Sequence, residues 1–225
     1  MTDTHSPVLV LSGAGLPAWI WDEVRERLGA ASSVAPRPPA HSDSPLSAYV
    51  EAAVDAAPSG AFAIVAHSSG GVVGAEVARL LGGRVSSFLA VSAVIPAGRE
   101  SFVSAMPVPN RWMLPIVMRL AGTRPPATAL RRGLRGVGDD QAERIVAEFV
   151  PESRHLYTDR TGEHVWSGRR GYVVTTEDDE LPPGLQHRFT ERLGATWTTQ
   201  LATGHLPMLQ DSRATADAIR EFLAS

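Results

Sequence analysis

Ala61-Phe62-Ala63-Ile64-Val65-Ala66-His67-Ser68-Ser69-Gly70-Gly71-Val72-Val73-Gly74 passes from an unbroken apolar run through two serines into paired glycines and on into helical spacing. The run from Ala61 to Ala66 predicts a strand covered on both faces, and Gly70 to Leu81 predicts the helix that follows it. Ser68 stands at the junction. A serine on so sharp a turn needs small residues two positions to either side, because a longer side chain would meet the crossing backbone; Ala66 and Gly70 satisfy this. Centring the turn on Ser69 would put His67 where a small residue is required, so Ser68 is the candidate nucleophile. A helix beginning near Ser69 turns its free N–H groups and positive end toward charge that develops beside Ser68, and the Ser69 N–H is the nearest donor.

The alternation repeats on either side. Val8 to Leu11 is a buried run closed by Ser12-Gly13-Ala14-Gly15, and helical spacing follows from Trp19 to Leu28. Ser33 to Ala35 is a weak strand, and Ser44-Pro45 opens a helix reaching about Ala57. Phe88 to Ile95, Tyr172 to Val174 and Ala195 to Leu201 read as strands, with helices from Pro182 to Leu193 and from Asp211 to Leu223. Strands alternating with helices imply the α/β class, with a mostly parallel sheet of about six strands. Residues 96–170 break the pattern. They are too many for a loop, and Arg111 to Leu120 and Asp140 to Phe149 have helical spacing. They are read as a helical cap, or lid, inserted between core segments 1–95 and 171–225.

At 225 residues the chain can bury about 70% of its unfolded surface as one domain. The absence of cysteine removes disulfides, thiolate nucleophiles and Cys-based zinc sites. His5, His41, His67, His155, His164, His187 and His205 show no His-x-x-x-His pairing, so neither a metal nor a cofactor is expected. The net charge is −3 and all 21 basic residues are arginine, interspersed with acids, which argues against a nucleic-acid partner. The local basic patch from Arg131 to Arg135 reads as a solvated helix end. Met1 to Pro7 carries no basic n-region, and no apolar run approaches the ~20 residues of a membrane span. The expectation is a cytoplasmic protein with no membrane partner; a homodimer is left open.

A serine hydroxyl needs a base, and the base needs an orienting acid. His205 lies in Thr203-Gly204-His205-Leu206-Pro207, just past the last predicted strand, at the sheet edge where Ser68 emerges and where open α/β sheets gather ligands. The run Glu177-Asp178-Asp179-Glu180 leaves the same edge after Tyr172 to Thr176 and offers several acids.

The segment Ala66-His67-Ser68-Ser69-Gly70-Gly71 resembles the Gly-His-Ser-x-Gly-Gly elbow of the α/β-hydrolase superfamily, with Ala66 in place of the first glycine. Gly204-His205-Leu206-Pro207 resembles the superfamily's Gly-His-x-Pro loop, and Thr176 to Pro182 resembles the Thr-x-Asp-x-x-Ile-Pro pattern of its esterase branch. The resemblance implies an α/β-hydrolase fold and a Ser68, Asp178, His205 triad in the superfamily's chain order, with Asp179 as the fallback acid; apart from the resemblance, Glu180, and Asp179 if it is not the acid, read as a solvated acidic loop. Ser12-Gly13-Ala14 with Ala18 to Trp21 resembles the His-Gly-x loop and Trp-x-Trp of plant methylesterases and hydroxynitrile lyases. It implies that the Ala14 N–H joins that of Ser69 in an oxyanion hole, while Ser12 departs from the family's histidine. Gly13 stands where lyase relatives carry threonine and leaves room for a substrate carbonyl. Several lyases place a lysine after the histidine, whereas Leu206 stands here and the chain has no lysine. The resemblance therefore implies cleavage of a carboxylic ester through an acyl-enzyme. A hydroxynitrile-type lyase and a ligand-binding receptor with little turnover are the alternatives. Trp112 and Met113 are the candidate contacts to an apolar small-molecule ester.

Overall fold

Every strand pairing in the sheet is parallel. In the computed structural model, which describes residues 6–38, 43–164 and 166–225, the strands are β1 (Val8–Leu11), β2 (Ser32–Val34), β3 (Phe62–Ser68), β4 (Val85–Ala93), β5 (Arg169–Thr175) and β6 (Trp197–Leu201). Met1 to His5 and His41, which entered the sequence argument, lie outside the described residues. The helices are α1 (Asp22–Leu28), α2 (Leu46–Asp55), α3 (Gly70–Leu81), α4 (Phe102–Ala105), α5 (Asn110–Ala121), α6 (Ala127–Gly133), α7 (Asp139–Glu148), α8 (His155–Thr158), α9 (Pro183–Leu193), α10 (Pro207–Gln210) and α11 (Ser212–Ala224).

Successive side chains on a strand face opposite sides, so a sheet covered on both faces builds two cores. Leu9, Leu11, Ile64, Ala66, Phe88, Ala90, Tyr172 and Val174 pack with α2, α3 and α9 on one side. Val8, Val10, Ala63, Val65, Leu89, Val91 and Val173 pack with α1 and α11 on the other. Each large side chain so buried contributes about 1.5–3 kcal/mol relative to exposure. That double coverage is why these strands read as unbroken apolar runs. At the sheet edge β6 is different: Thr198 and Gln200 are exposed, and the strand starts at Trp197, two residues later than its apolar pattern. In turn, β4 starts at Val85 rather than Phe88, because the backbone pairs with β3 through Ser87 although the serines interrupt the apolar run.

The sheet order is β2-β1-β3-β4-β5-β6. The chain leaves β1 for β2 and returns to lay β3 against the other side of β1. The carboxyl ends of β1 and β3 therefore border the crevice at which strand order reverses, the place where open α/β sheets bind ligands. The strand β5 begins at Arg169, so Arg169 and Arg170 of the expected helical segment belong to the sheet; residues 96–168 hold α4 to α8 and, among the described residues, no strand. They pack differently from the sheet: α5 and α6 bury none of their residues and α7 buries only Ile145.

Candidate active site

Ser68 ends β3 with φ 52, in the left-handed region that a residue with a Cβ rarely occupies. The pairing of β3 with β4 slips between His67 and Ser68, so the strain falls at this turn. Crowding explains the glycines after it. A Cβ on Gly70 would stand 2.1 Å from the Leu11 carbonyl oxygen, and one on Gly71 would stand 2.4 Å from that of Val94. The turn is held by a hydrogen bond from the Val94 N–H to the Ser68 carbonyl, 3.0 Å.

His205 Nε2 lies 3.1 Å from Ser68 Oγ, and His205 Nδ1 lies 2.8 Å from Asp178 Oδ2. With the Nδ1 proton given to Asp178, the Nε2 lone pair is free to accept the Ser68 proton. Asp178 is fully engaged. Its Oδ1 accepts the Glu180 and Leu181 N–H groups at 2.8 and 2.9 Å, and its Oδ2 accepts the hydroxyls of Thr175 and Ser92. Burial works to raise the Asp178 pKa, but the His205 hydrogen bond and charge, with Ser92 and the Leu181 N–H, hold it well below the usual carboxylate range. For His205 burial pushes downward, and the nearby Glu180 and Asp178 carboxylates outweigh it, so the imidazole sits above its ordinary value.

His67 is wholly buried beneath the site, between the rings of Trp21 and His205. Burial, reinforced by the His205 charge, lowers its pKa to about 3, so it is neutral. Its Nε2 donates to the His205 carbonyl at 2.8 Å, fixing the loop that carries His205. Gly13 is the one residue type that fits above this ring: a Cβ there would come within 2.9 Å of His67 Nδ1 and 3.0 Å of Ser68 Cβ.

Ser68 and His205 open into a cavity of about 390 Å³, lined also by Ala14, Ser69, Leu16, Phe102, Leu130, Phe149, Tyr157 and Leu206. The N–H groups of Ala14 and Ser69 form no hydrogen bond with any described residue. Gly13 lies behind this cavity, in a second space bounded by Ser12, Ser69, Arg37 and Glu152. Trp112 and Met113 are not brought to it. They lie on the outward face of α5, 65% and 55% exposed, while Leu114 and Met118 form its inward side. Asp179 is also outward and pairs with exposed Arg135 at 3.2 Å.

Glu180 is exposed, as expected, yet its carboxylate also reaches within 3.5 Å of His205 Nε2 and lines the cavity, a contact the sequence did not reveal. Ser92 was missed altogether. It is fully buried at φ 41, donates to Asp178, and its Oγ lies 3.2 Å from His205 Nδ1. The available signal was a lone hydroxyl inside the run Leu89 to Ile95, beside the nucleophile's strand. Among the described residues no three His, Asp or Glu side chains converge as a metal site.

A sequence model of the alpha/beta hydrolase family matches residues 8–218. No curated protein matches the chain. Among solved structures, an extracellular alpha/beta-hydrolase from a Paenibacillus species is similar at TM-score 0.78 and 17% identity, with 96% of this chain and 98% of that one covered. The pyrethroid hydrolase from Sphingobium faniae JZ-2 is similar at TM-score 0.77 and 19% identity, with 98% of each chain covered. A mutant of polyneuridine aldehyde esterase is similar at TM-score 0.76 and 17% identity, with 96% and 98% covered. At these identities the likeness is one of fold, extending over nearly the whole chain.

Proposed function

We propose that this chain, which belongs to the alpha/beta hydrolase family, is a serine hydrolase that cleaves a small-molecule carboxylic ester through an acyl-enzyme. The observation that carries the reading is the chain of contacts Ser68 Oγ, His205 and Asp178 at 3.1 and 2.8 Å, at the floor of a largely apolar cavity. Ser68 attacks the ester carbonyl while His205 Nε2 takes its proton. The developing oxyanion is met by the Ala14 and Ser69 N–H groups. His205 then returns the proton to the leaving alcohol and activates the water that frees the acid. Asp178 keeps the imidazole in the productive tautomer throughout. Residues 96–170 act as a cap that selects the ester, since Phe102, Leu130, Phe149 and Tyr157 of that segment line the cavity. An apolar acyl or alcohol group suits such a lining.

Two of the similar structures bear the names of a pyrethroid hydrolase and polyneuridine aldehyde esterase, which agrees with this chemistry. Cyanohydrin cleavage is disfavoured because Gly13 has no hydroxyl to bind the substrate oxygen, and the contacts above His67 leave a threonine no room. Fluorophosphonate labelling, with the adduct located by mass spectrometry, tests the assignment. The label is expected on Ser68. Ser68→Ala should abolish labelling and lower ester turnover by on the order of 10⁶-fold with the fold kept. Ser68-dependent turnover of mandelonitrile without ester turnover would sink the reading.

A further inference from the structure

The loop after β1 has to hold the Ala14 N–H in place, yet Ser12 does not brace it from below. The Ser12 hydroxyl instead accepts the Trp21 indole N–H at 3.3 Å. The bracing comes from the other side, from the end of the helical segment. The Gly15 N–H, in the peptide directly after Ala14, donates to Glu152 Oε1 at 3.0 Å, and the Gly15 carbonyl accepts from the Val150 N–H at 3.2 Å. Gly15 has φ +75, and a Cβ on it would run into the Phe149 ring at 2.2 Å. Both peptides of Gly15 are thus clamped by residues 149–152.

Glu152 is built to do this and little else. It is 5% exposed, and all its partners are internal: Gly15 and the Arg37 Nε on Oε1, and the Tyr49 hydroxyl on Oε2 at 3.0 Å. Arg37 closes the ring by donating from Nη2 to the Leu16 carbonyl at 2.6 Å. A buried carboxylate holds its position when paired and hydrogen-bonded, and removing a partner strands charge in a dry site. Arg37, Tyr49 and Glu152 border the second space beside Gly13 and do not line the cavity into which Ser68 opens.

We propose that Glu152, with Arg37, is the positioning residue for the oxyanion hole: it fixes the Ala14 N–H through Gly15 and ties its alignment to the seating of the helical segment. The proposal rests on the reading of Ser68 as an acylated nucleophile. Oxyanion donors work by being aimed before charge develops, so a small misplacement lowers the chemical step without weakening substrate binding.

The test uses the full chain with p-nitrophenyl acetate as substrate and a phenylboronic acid as a probe that forms a tetrahedral adduct. Glu152→Ala should lower kcat by roughly 10²-fold, the cost of losing one oxyanion donor. KM should stay nearly constant, and boronate affinity should fall with kcat. Glu152→Gln keeps an acceptor for Gly15 and should recover part of the loss; Tyr49→Phe should be milder still. If Glu152→Ala does not fold, the Gln and Phe variants carry the same comparison. A folded Glu152→Gln and Tyr49→Phe pair with wild-type kcat and boronate affinity would overturn the proposal. So would a loss explained by a lower melting temperature and fewer titratable active sites at unchanged kcat per site. Failure of the underlying reading looks different: wild-type protein would then neither accept fluorophosphonate nor cleave the ester.

Discussion

The sheet and the helical segment 96–170 use apolar residues in opposite ways. In β1, in β3 as far as His67 and in the middle of β4 every side chain from either face is buried, because helices cover both. In α5, by contrast, Trp112, Met113, Ile116, Val117 and Leu120 form an outward stripe that no described residue buries, and the helix touches the first core only through Leu114 and Met118. The sheet's pattern and its burial agree, so its chemistry is fixed by its own strands. The helical segment contributes through a few anchored points, Phe149, Glu152 and Tyr157, and not through its most apolar helix.

The sharpest way to break the comparison is chemical. Asp178 is buried and holds His205, while its neighbour Asp179 faces water beside Arg135. Asp178→Asn should lower kcat by about 10⁴-fold, since an amide leaves the imidazole in the wrong tautomer. Asp179→Asn should stay near wild type. Steady-state ester hydrolysis of the two variants decides; a reversed ranking would move the acid one residue along the chain.

A thermodynamic pair comes next. Ile64 in β3 is fully buried, and Ile64→Ala should cost about 2–5 kcal/mol of stability by leaving a cavity. Trp112→Ala, a larger truncation on the exposed face of α5, should change stability by about 0.5 kcal/mol or less and leave turnover of a small activated ester intact. Urea denaturation of both variants measures the difference. A comparable loss from Trp112→Ala would mean that the stripe is covered in solution.

The same contrast explains what could be read from the residues alone. Double coverage writes itself into the sequence as unbroken apolar runs, so β1, β3 and β5 and the turn at Ser68 were legible, and with them the edge that gathers Ser68, Asp178 and His205. Helical spacing in α5 identified a helix but not which way it faces. Apolarity alone puts Trp112 and Met113 toward the ligand, yet nothing in a one-sided pattern says whether its partner is the core. Ser92, Glu152 and Glu180 escaped for another reason. Each meets a partner remote in the chain: Asp178, Gly15 and His205 respectively. Only folding makes those pairs adjacent.

Glu180 marks the point where the two regions meet, and its removal should have the smallest effect. Its carboxylate lies against Gly133 at the end of α6, so closely that a Cβ there would overlap it, and 3.5 Å from His205 Nε2. In the proposed reaction His205 must be neutral to accept the Ser68 proton, so kcat/KM should rise with pH through the His205 pKa. Burial lowers that pKa, and Glu180 first, then Asp178, raise it above the ordinary value. Glu180→Gln keeps the shape but removes the charge. The acid limb of the kcat/KM profile should therefore move to lower pH, with the variant faster than wild type on that limb and equal on the plateau. Because Glu180 is half exposed, water and salt screen it, so the shift should be modest and added salt should move the wild-type limb the same way. Stability should respond in the opposite sense. A folded pKa above the unfolded one means that protonated His205 contributes stability fully present below the unfolded pKa and lost as pH rises through the folded pKa. Glu180→Gln should thus cost a little stability in acid and none at high pH. A limb that stays put would mean that Glu180 does not face His205 in the working protein, and that the helical segment meets the base through apolar contacts alone.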